Sequence, residues 1–306
     1  MKNEPESGPL DLAPDRVGRR KALLRFFLFL GLAVGLTLLA IAIARFVFGI
    51  KVDVDQRLSA QGILLANVIF TLVQAVIPTA IMVGATRDSP QAFGWGRSRR
   101  WRDLAIGAAT GFGLLSAQLV VTSWLGGYSF GAVTLSPAGA FEYGAIYLAV
   151  FALTGLCEEG GLRGYGFVQL SRAISFWPAA ILLSTLFLVL HIPHKNETLI
   201  GLAQVGLVGM VFAYSFLRSG GLWFALGCHA SWDYAQSFVY GVPDSGVTAE
   251  GALLHPTLHG PDWLTGGATG PEASVLVLPV LALQGLIVHF AFRGRMTRKP
   301  TRPDEK

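Results

Sequence analysis

The feature that most limits what this chain can fold into is a series of eight apolar stretches, at about 22–48, 62–85, 103–126, 141–171, 176–192, 198–217, 221–240 and 273–293. A helix rises 1.5 Å per residue, so about twenty apolar residues cross the ~30 Å hydrocarbon core of a bilayer. The joints between stretches carry breakers or charge, such as Arg87-Asp88-Ser89-Pro90, Ser219-Gly220-Gly221 and Gly270-Pro271. The first stretch, from Ala22, is too long for the apolar part of a signal peptide and reads as a spanning helix. Composition points the same way. Only 14% of residues are charged, against about 25% in a soluble domain. The expectation is an all-α membrane protein with eight transmembrane helices.

The basic residues test that threading. With the N-terminus in the cytoplasm, 18 of the 24 Lys and Arg fall on the inner side, three (Lys51, Arg57, Lys195) on the outer side and three (Arg25, Arg45, Arg163) within spans. This is the asymmetry that membrane insertion imposes, so both termini are expected in the cytoplasm of a bacterial-type cell membrane. The net charge of +5 is then a matter of topology and not a nucleic-acid surface. The chain divides into a disordered basic tail at 1–21, an eight-helix domain at 22–293 and a second basic tail at 294–306. The longest connection, 241–272, carries Asp244, Glu250 and Asp262 and no Lys or Arg.

An ionisable group at bilayer depth costs about 2.5–3.5 kcal/mol on insertion, so each one is a functional candidate. Here they cluster: Glu158, Glu159 and Arg163 in the fourth stretch, His191 at the end of the fifth, His229 and Asp233 in the seventh. Glu159 and Arg163 are four apart and can pair on one helix face, which leaves Glu158, about 100° round, facing elsewhere. His229 and Asp233 are likewise four apart. Counted from an inner turn near 172–176, Glu158 and His191 both sit about 21–23 Å up and can meet, while His229 comes out lower, at about 12–14 Å. Gly160, Gly161, Gly164 and Gly166 let backbones approach closely or break the helix. A carboxylate and an imidazole converging on water form a hydrolytic device. Glu158 is the expected general base, His191 orients the water, and His229 donates to the oxyanion. Cys157 and Cys228 have no metal-type or disulfide spacing and read as small buried residues. His194 is expected in the outer loop without a role.

These residues resemble the CAAX prenyl protease and bacteriocin-processing family of intramembrane proteases (type II CAAX endopeptidase, Abi). The family pattern is E-E-x-x-x-R, then F-x-x-x-H, then H-x-x-x-N or D on successive helices. It is met by Glu158, Glu159 and Arg163, by Phe187 and His191, and by His229 and Asp233, within a motif core at about 100–240. The resemblance implies an intramembrane endopeptidase in which Glu158 and His191 activate water and His229 and the residue at 233 bind the oxyanion. Its substrate would be a membrane-associated protein or peptide, in CAAX-type C-terminal processing or in bacteriocin-type maturation or self-immunity. Asp233 stands where the best-studied members have Asn. An ionised Asp cannot donate to an oxyanion, so its expected role is to orient His229. No cofactor is expected to be required. The alternative is zinc or another divalent metal held by Glu158, His191 and His229. Two rival functions use the same residues: an ion- or proton-coupled transporter, and a catalytically inactive scaffold or immunity protein.

Overall fold

A computed structural model describes residues 18–49, 59–194, 196–248 and 250–295. The outer basic residues Lys51, Arg57 and Lys195, and most of both tails, lie outside them. Helices occupy all eight apolar stretches: α1 (Arg19–Phe46), α2 (Ala60–Thr86, with a π-helical turn at Leu72–Val76), α3 (Arg100–Trp124), α4 (Pro137–Arg163), α5 (Tyr165–Ile174), α6 (Phe176–His191), α7 (Leu199–Ser219), α8 (Trp223–Tyr234, continuing as a π-turn at Ala235–Val239) and α9 (Val277–Ala291). Five helical runs are long and apolar enough to cross a membrane: α1, α2, α3, Pro137–Ile174 and α7; α6 and α9 are apolar but shorter. This is a multi-pass membrane protein. Three spans are capped by side chains their sequence supplies, with Ser59, Ser136 and Thr198 accepting from the amides of Gly62, Gly139 and Gly201.

Two features depart from the expected plan. The fourth stretch is not one straight span. The helical run that contains it, Pro137–Ile174, has 38 residues and if straight would be about 57 Å long, nearly twice the hydrocarbon thickness. It breaks at Gly164, where the backbone leaves the helical region (φ −83°, ψ −124°) and a Cβ would collide with the Gly160 carbonyl. Beyond the break, Tyr165–Ala173 are all buried, packed against α1 and α6. Counting residues from the turn at 172–176 therefore does not measure depth along one axis, and the apparent level mismatch of His229 disappears.

The fold is also not purely α-helical. Strands β1 (Tyr128–Val133) and β2 (Leu254–Leu258) form an antiparallel pair that joins the connection after α3 to the one after α8. A bulge between Ser129 and Ala132 carries Gly131 at φ 71°, pressed onto the His255 carbonyl where no Cβ fits. These strands lie outside the apolar stretches, and their partners are more than a hundred residues apart, so helical periodicity gave no sign of them.

The most extensive helix pairing is α3 against α8. A Cβ on Gly107 or Gly111 of α3 would overlap the carbonyls of Phe224 and Cys228, and one on Gly227 would overlap the Leu104 carbonyl. Backbone touches backbone along this seam. Gly107-x-x-x-Gly111 is the small-residue spacing that permits such approach, whereas Gly160, Gly161 and Gly166 face side chains or looser contacts. Helix α8 is thereby fixed, with His229 turned toward α4.

The candidate N-terminal tail yields residues 19–21 to α1. At the other end Arg295, assigned from sequence to the second basic tail, holds Asp103 by two hydrogen bonds of 2.7 and 3.0 Å.

Candidate active site

A cavity of about 280 Å³ lies among α2, α4, α6, α7, α8 and α9 and is lined by Glu158, His191, His229 and Asp233. Three helices thus bring the three expected catalytic residues to one chamber. Glu159 and Arg163 do not line it; they stand behind His229.

The Arg163 guanidinium donates to Glu159 Oε1 at 2.8 Å, and both side chains are fully withdrawn from solvent. The same oxygen lies 3.0 Å from His229 Nδ1. Arg163 also sits over the rings of Phe187 on α6 and Phe212 on α7, at 5.0 and 5.7 Å. One ion pair on α4 is therefore gripped by three neighbouring helices. A carboxylate only accepts, so His229 carries its Nδ1 proton toward Glu159. Nε2 is left facing Glu158 Oε2 at 3.6 Å and Asp233 Oδ2 at 3.4 Å. Asp233 was expected to orient His229. It meets the ring at Nε2, while the nitrogen anchored by a hydrogen bond is held by Glu159.

His191 Nδ1 lies 2.8 Å from the Phe187 carbonyl of its own helix. A carbonyl cannot donate, so Nδ1 bears the proton and Nε2 has a free lone pair. His194, in the turn after α6, also lines the cavity, with its ring centroid 4.7 Å from that of His191. Its sequence position beyond Pro193 had suggested an outer loop away from the site. Cys157 is not a cavity residue; its Sγ approaches Gln74 Oε1 of α2 at 3.7 Å.

The 241–272 connection, which sequence reasoning left without a role, covers one end of the chamber with Asp244, Ser245, Val247 and Glu272. Polar side chains from three helices hold it: Gln118 donates to the Pro271 carbonyl at 2.6 Å, Tyr147 to that of Glu250 at 2.9 Å, and Gln236 to Pro243 and Glu272, both at 2.6 Å. Ser237 donates to Asp244 at 3.1 Å. Burial pushes the Asp244 carboxyl up to about 6, and burial together with Asp244 raises that of Glu272. Gln236 and Ser237 belong to the π-turn that ends α8, so the covering loop and the helix of His229 share one anchor. The acidic bias of the loop was legible in the sequence, but not its destination.

Residues 140–235 match the family model of the Rce1-like type II CAAX prenyl endopeptidases. The matched span runs from α4 to the start of the π-turn and takes in every motif residue from Glu158 to Asp233. It is about a third of the chain. The family is the one that the three motifs resemble, and it is a family of proteases. No curated protein and no solved structure matches the chain.

A metal in such a site would need donors aimed at one point. Both histidines present Nε2 with Nδ1 tied back, the arrangement that second-shell bonding gives to a ligating imidazole. Among the described residues, however, no three His, Cys, Asp or Glu side chains are drawn together closely enough to hold an ion. The donor types suit a metal and their spacing does not.

Proposed function

We propose that this chain is an intramembrane endopeptidase in which Glu158, His191 and His229 hydrolyse a peptide bond of a membrane-associated protein or peptide. The observation that carries the reading is the shared chamber: a carboxylate, an imidazole with a free Nε2 and a second imidazole anchored by Glu159 all border one cavity. Water held between Glu158 and His191 Nε2 loses a proton to Glu158 as its oxygen attacks the scissile carbonyl. His229 stabilises the resulting oxyanion through Nε2–H while Nδ1–H stays on Glu159, so this role requires both ring protons. The C–N bond then breaks, and the proton held by Glu158 passes to the leaving nitrogen. Asp233 shares His229 Nε2 with the oxyanion position, so its part in the reaction is to hold that N–H until substrate arrives. No step calls on a metal.

The proposal includes eight crossings with both termini inside, and contacts among connections and helix ends support it. The β1–β2 pair joins segments separated by four proposed crossings, Arg25–Asp88 (3.4 Å) spans two, and Arg295–Asp103 spans six. Each partner pair must lie on one side of the membrane, and every count is even.

A transporter using the same groups is not favoured, because the polar residues gather at one chamber and the matched family is one of proteases. The test is reconstitution with labelled membrane-anchored peptides, both prenylated and unmodified. Wild type should cleave at least one, and Glu158→Ala, His191→Ala and His229→Ala should each lose cleavage by about 10²-fold or more. Cleavage that survives all three substitutions would refute the mechanism.

A further inference from the structure

On the chamber wall made by α2 and α4 the polar side chains are Glu158, Tyr147, whose hydroxyl is on the Glu250 carbonyl, and one further rung, Asn67 with Thr154, which lines the cavity together with the apolar Ile63, Val150 and Phe151. Thr154 donates its hydroxyl proton to Asn67 Oδ1 at 2.8 Å, a shorter contact than its alternative on the Val150 carbonyl at 3.1 Å. The Ile63 carbonyl, which can only accept, fixes which way the Asn67 amide faces: the amide nitrogen donates to it at 3.1 Å, which uses one of its two hydrogens. The second N–H has no partner among the described residues. A polar side chain on the chamber wall, held in orientation and with its second N–H open to the cavity, can donate to an acceptor that enters it.

Resting on the protease reading, we infer that Asn67 binds the substrate backbone, donating its spare N–H to a peptide carbonyl displaced from the scissile bond. Thr154 precedes Glu158 by four residues, so the rung lies about 6 Å along α4 from the catalytic carboxylate. An extended peptide advances about 3.4 Å per residue. The carbonyl that meets Asn67 therefore belongs to the residue about two positions from the one being cleaved. In an extended chain, carbonyls two residues apart point the same way, so one strand can present both to this wall. Thr154 is a positioning residue that holds the amide. The site takes an extended, unfolded peptide segment, and specificity at this rung is for backbone and not for a side chain. Asn67 lies outside the matched residues 140–235.

The experiment is a cycle between protein and substrate in nanodiscs, using a fluorogenic membrane-anchored peptide that the wild type cleaves. Asn67→Leu preserves volume and removes the donor. Replacing the substrate amide whose carbonyl lies two residues from the cleaved bond with an ester weakens the acceptor. Asn67→Leu should raise KM about tenfold, with a much smaller change in kcat. The ester should raise KM comparably for wild type and not for Asn67→Leu. Thr154→Val should give part of the KM effect. Independent losses, or a fall in kcat at unchanged KM, would overturn the inference and leave the protease reading intact. Binding of the same labelled peptides to Glu158→Gln protein, with and without Asn67→Leu, separates the two ideas. Weaker binding on Asn67→Leu with no cleavage by wild type would support the backbone contact and sink proteolysis. Binding unaffected by Asn67→Leu, or no peptide binding at all, would overturn the contact.

Discussion

Replacing Gly111 with Ala adds one methyl group on α3, away from the cavity, and should disable the site by moving α8. A Cβ there would lie 2.9 Å from the Cys228 carbonyl carbon and closer still to its oxygen, whereas ordinary contact begins at about 3.4 Å. Backbone cannot rotate aside as a side chain does, so α3 and α8 must part by about 1 Å, at an overpacking cost of about 1–3 kcal/mol. Cys228 precedes His229, whose Nδ1 now lies 3.0 Å from Glu159 Oε1. A shift of about 1 Å takes that pair beyond hydrogen-bonding range. Displacements of this size at a catalytic group typically lower turnover by about 10²-fold. The control is Gly113→Ala on the same helix, where a Cβ meets nothing within 4 Å. It should keep wild-type cleavage and gain up to about 1 kcal/mol from helix propensity. Both proteins would be assayed for peptide cleavage and thermal unfolding in nanodiscs. If Gly111→Ala protein folds and cleaves like wild type, the seam does not position His229 and the reasoning fails.

Glu159→Gln removes the counter-charge of a buried Arg163 and divides between two donors an acceptor that now has one carbonyl oxygen. It should lower stability by about 3–5 kcal/mol and cleavage by about 10²-fold, measured by unfolding and by turnover of the folded fraction; unchanged stability would argue against the buried pair. Asp244 gives a pH test. Its carboxyl is raised from 3.8 to about 6 by burial, partly offset by the Ser237 hydroxyl and His229. Between pH of about 4 and 6 the folded protein keeps a proton that the unfolded chain has released, so stability falls as pH rises through that window and is flat above it with respect to this group. Asp244→Asn should remove that part of the slope in a series of unfolding curves, and parallel curves for the two proteins would count against it. Cys157→Ser should cleave as wild type does, because its thiol faces Gln74 and not the cavity, and a zinc chelator should leave cleavage standing. Loss of activity to either would redirect the mechanism, to a thiol or to a metal.

How much of this was legible in the sequence follows from the range of each signal. The apolar stretches are local and long, and their lengths alone call for helices at bilayer thickness. The ionisable residues within them stand out because hydrocarbon tolerates so few. Hence Glu158, His191 and His229 could be named before any coordinates were known. The Glu159–Arg163 pair also follows from i,i+4 spacing on one helix.

What only the folded molecule decided is every relation between helices. The rotation of α8 about its axis, fixed where Gly107, Gly111 and Gly227 let two backbones touch, puts His229 Nδ1 on Glu159 and leaves Asp233 at the other nitrogen. The break at Gly164 cancels a depth estimate that assumed a straight helix. The pairing of β1 with β2, and the bonds that tie Pro271 to Gln118 on α3 and Glu250 to Tyr147 on α4 and so bring the loop over the chamber, join residues more than a hundred positions apart. Period and spacing report on one helix at a time. Contacts across helices depend on close approach and on polar groups finding partners in an interior without water, and those are settled only when the whole bundle has packed.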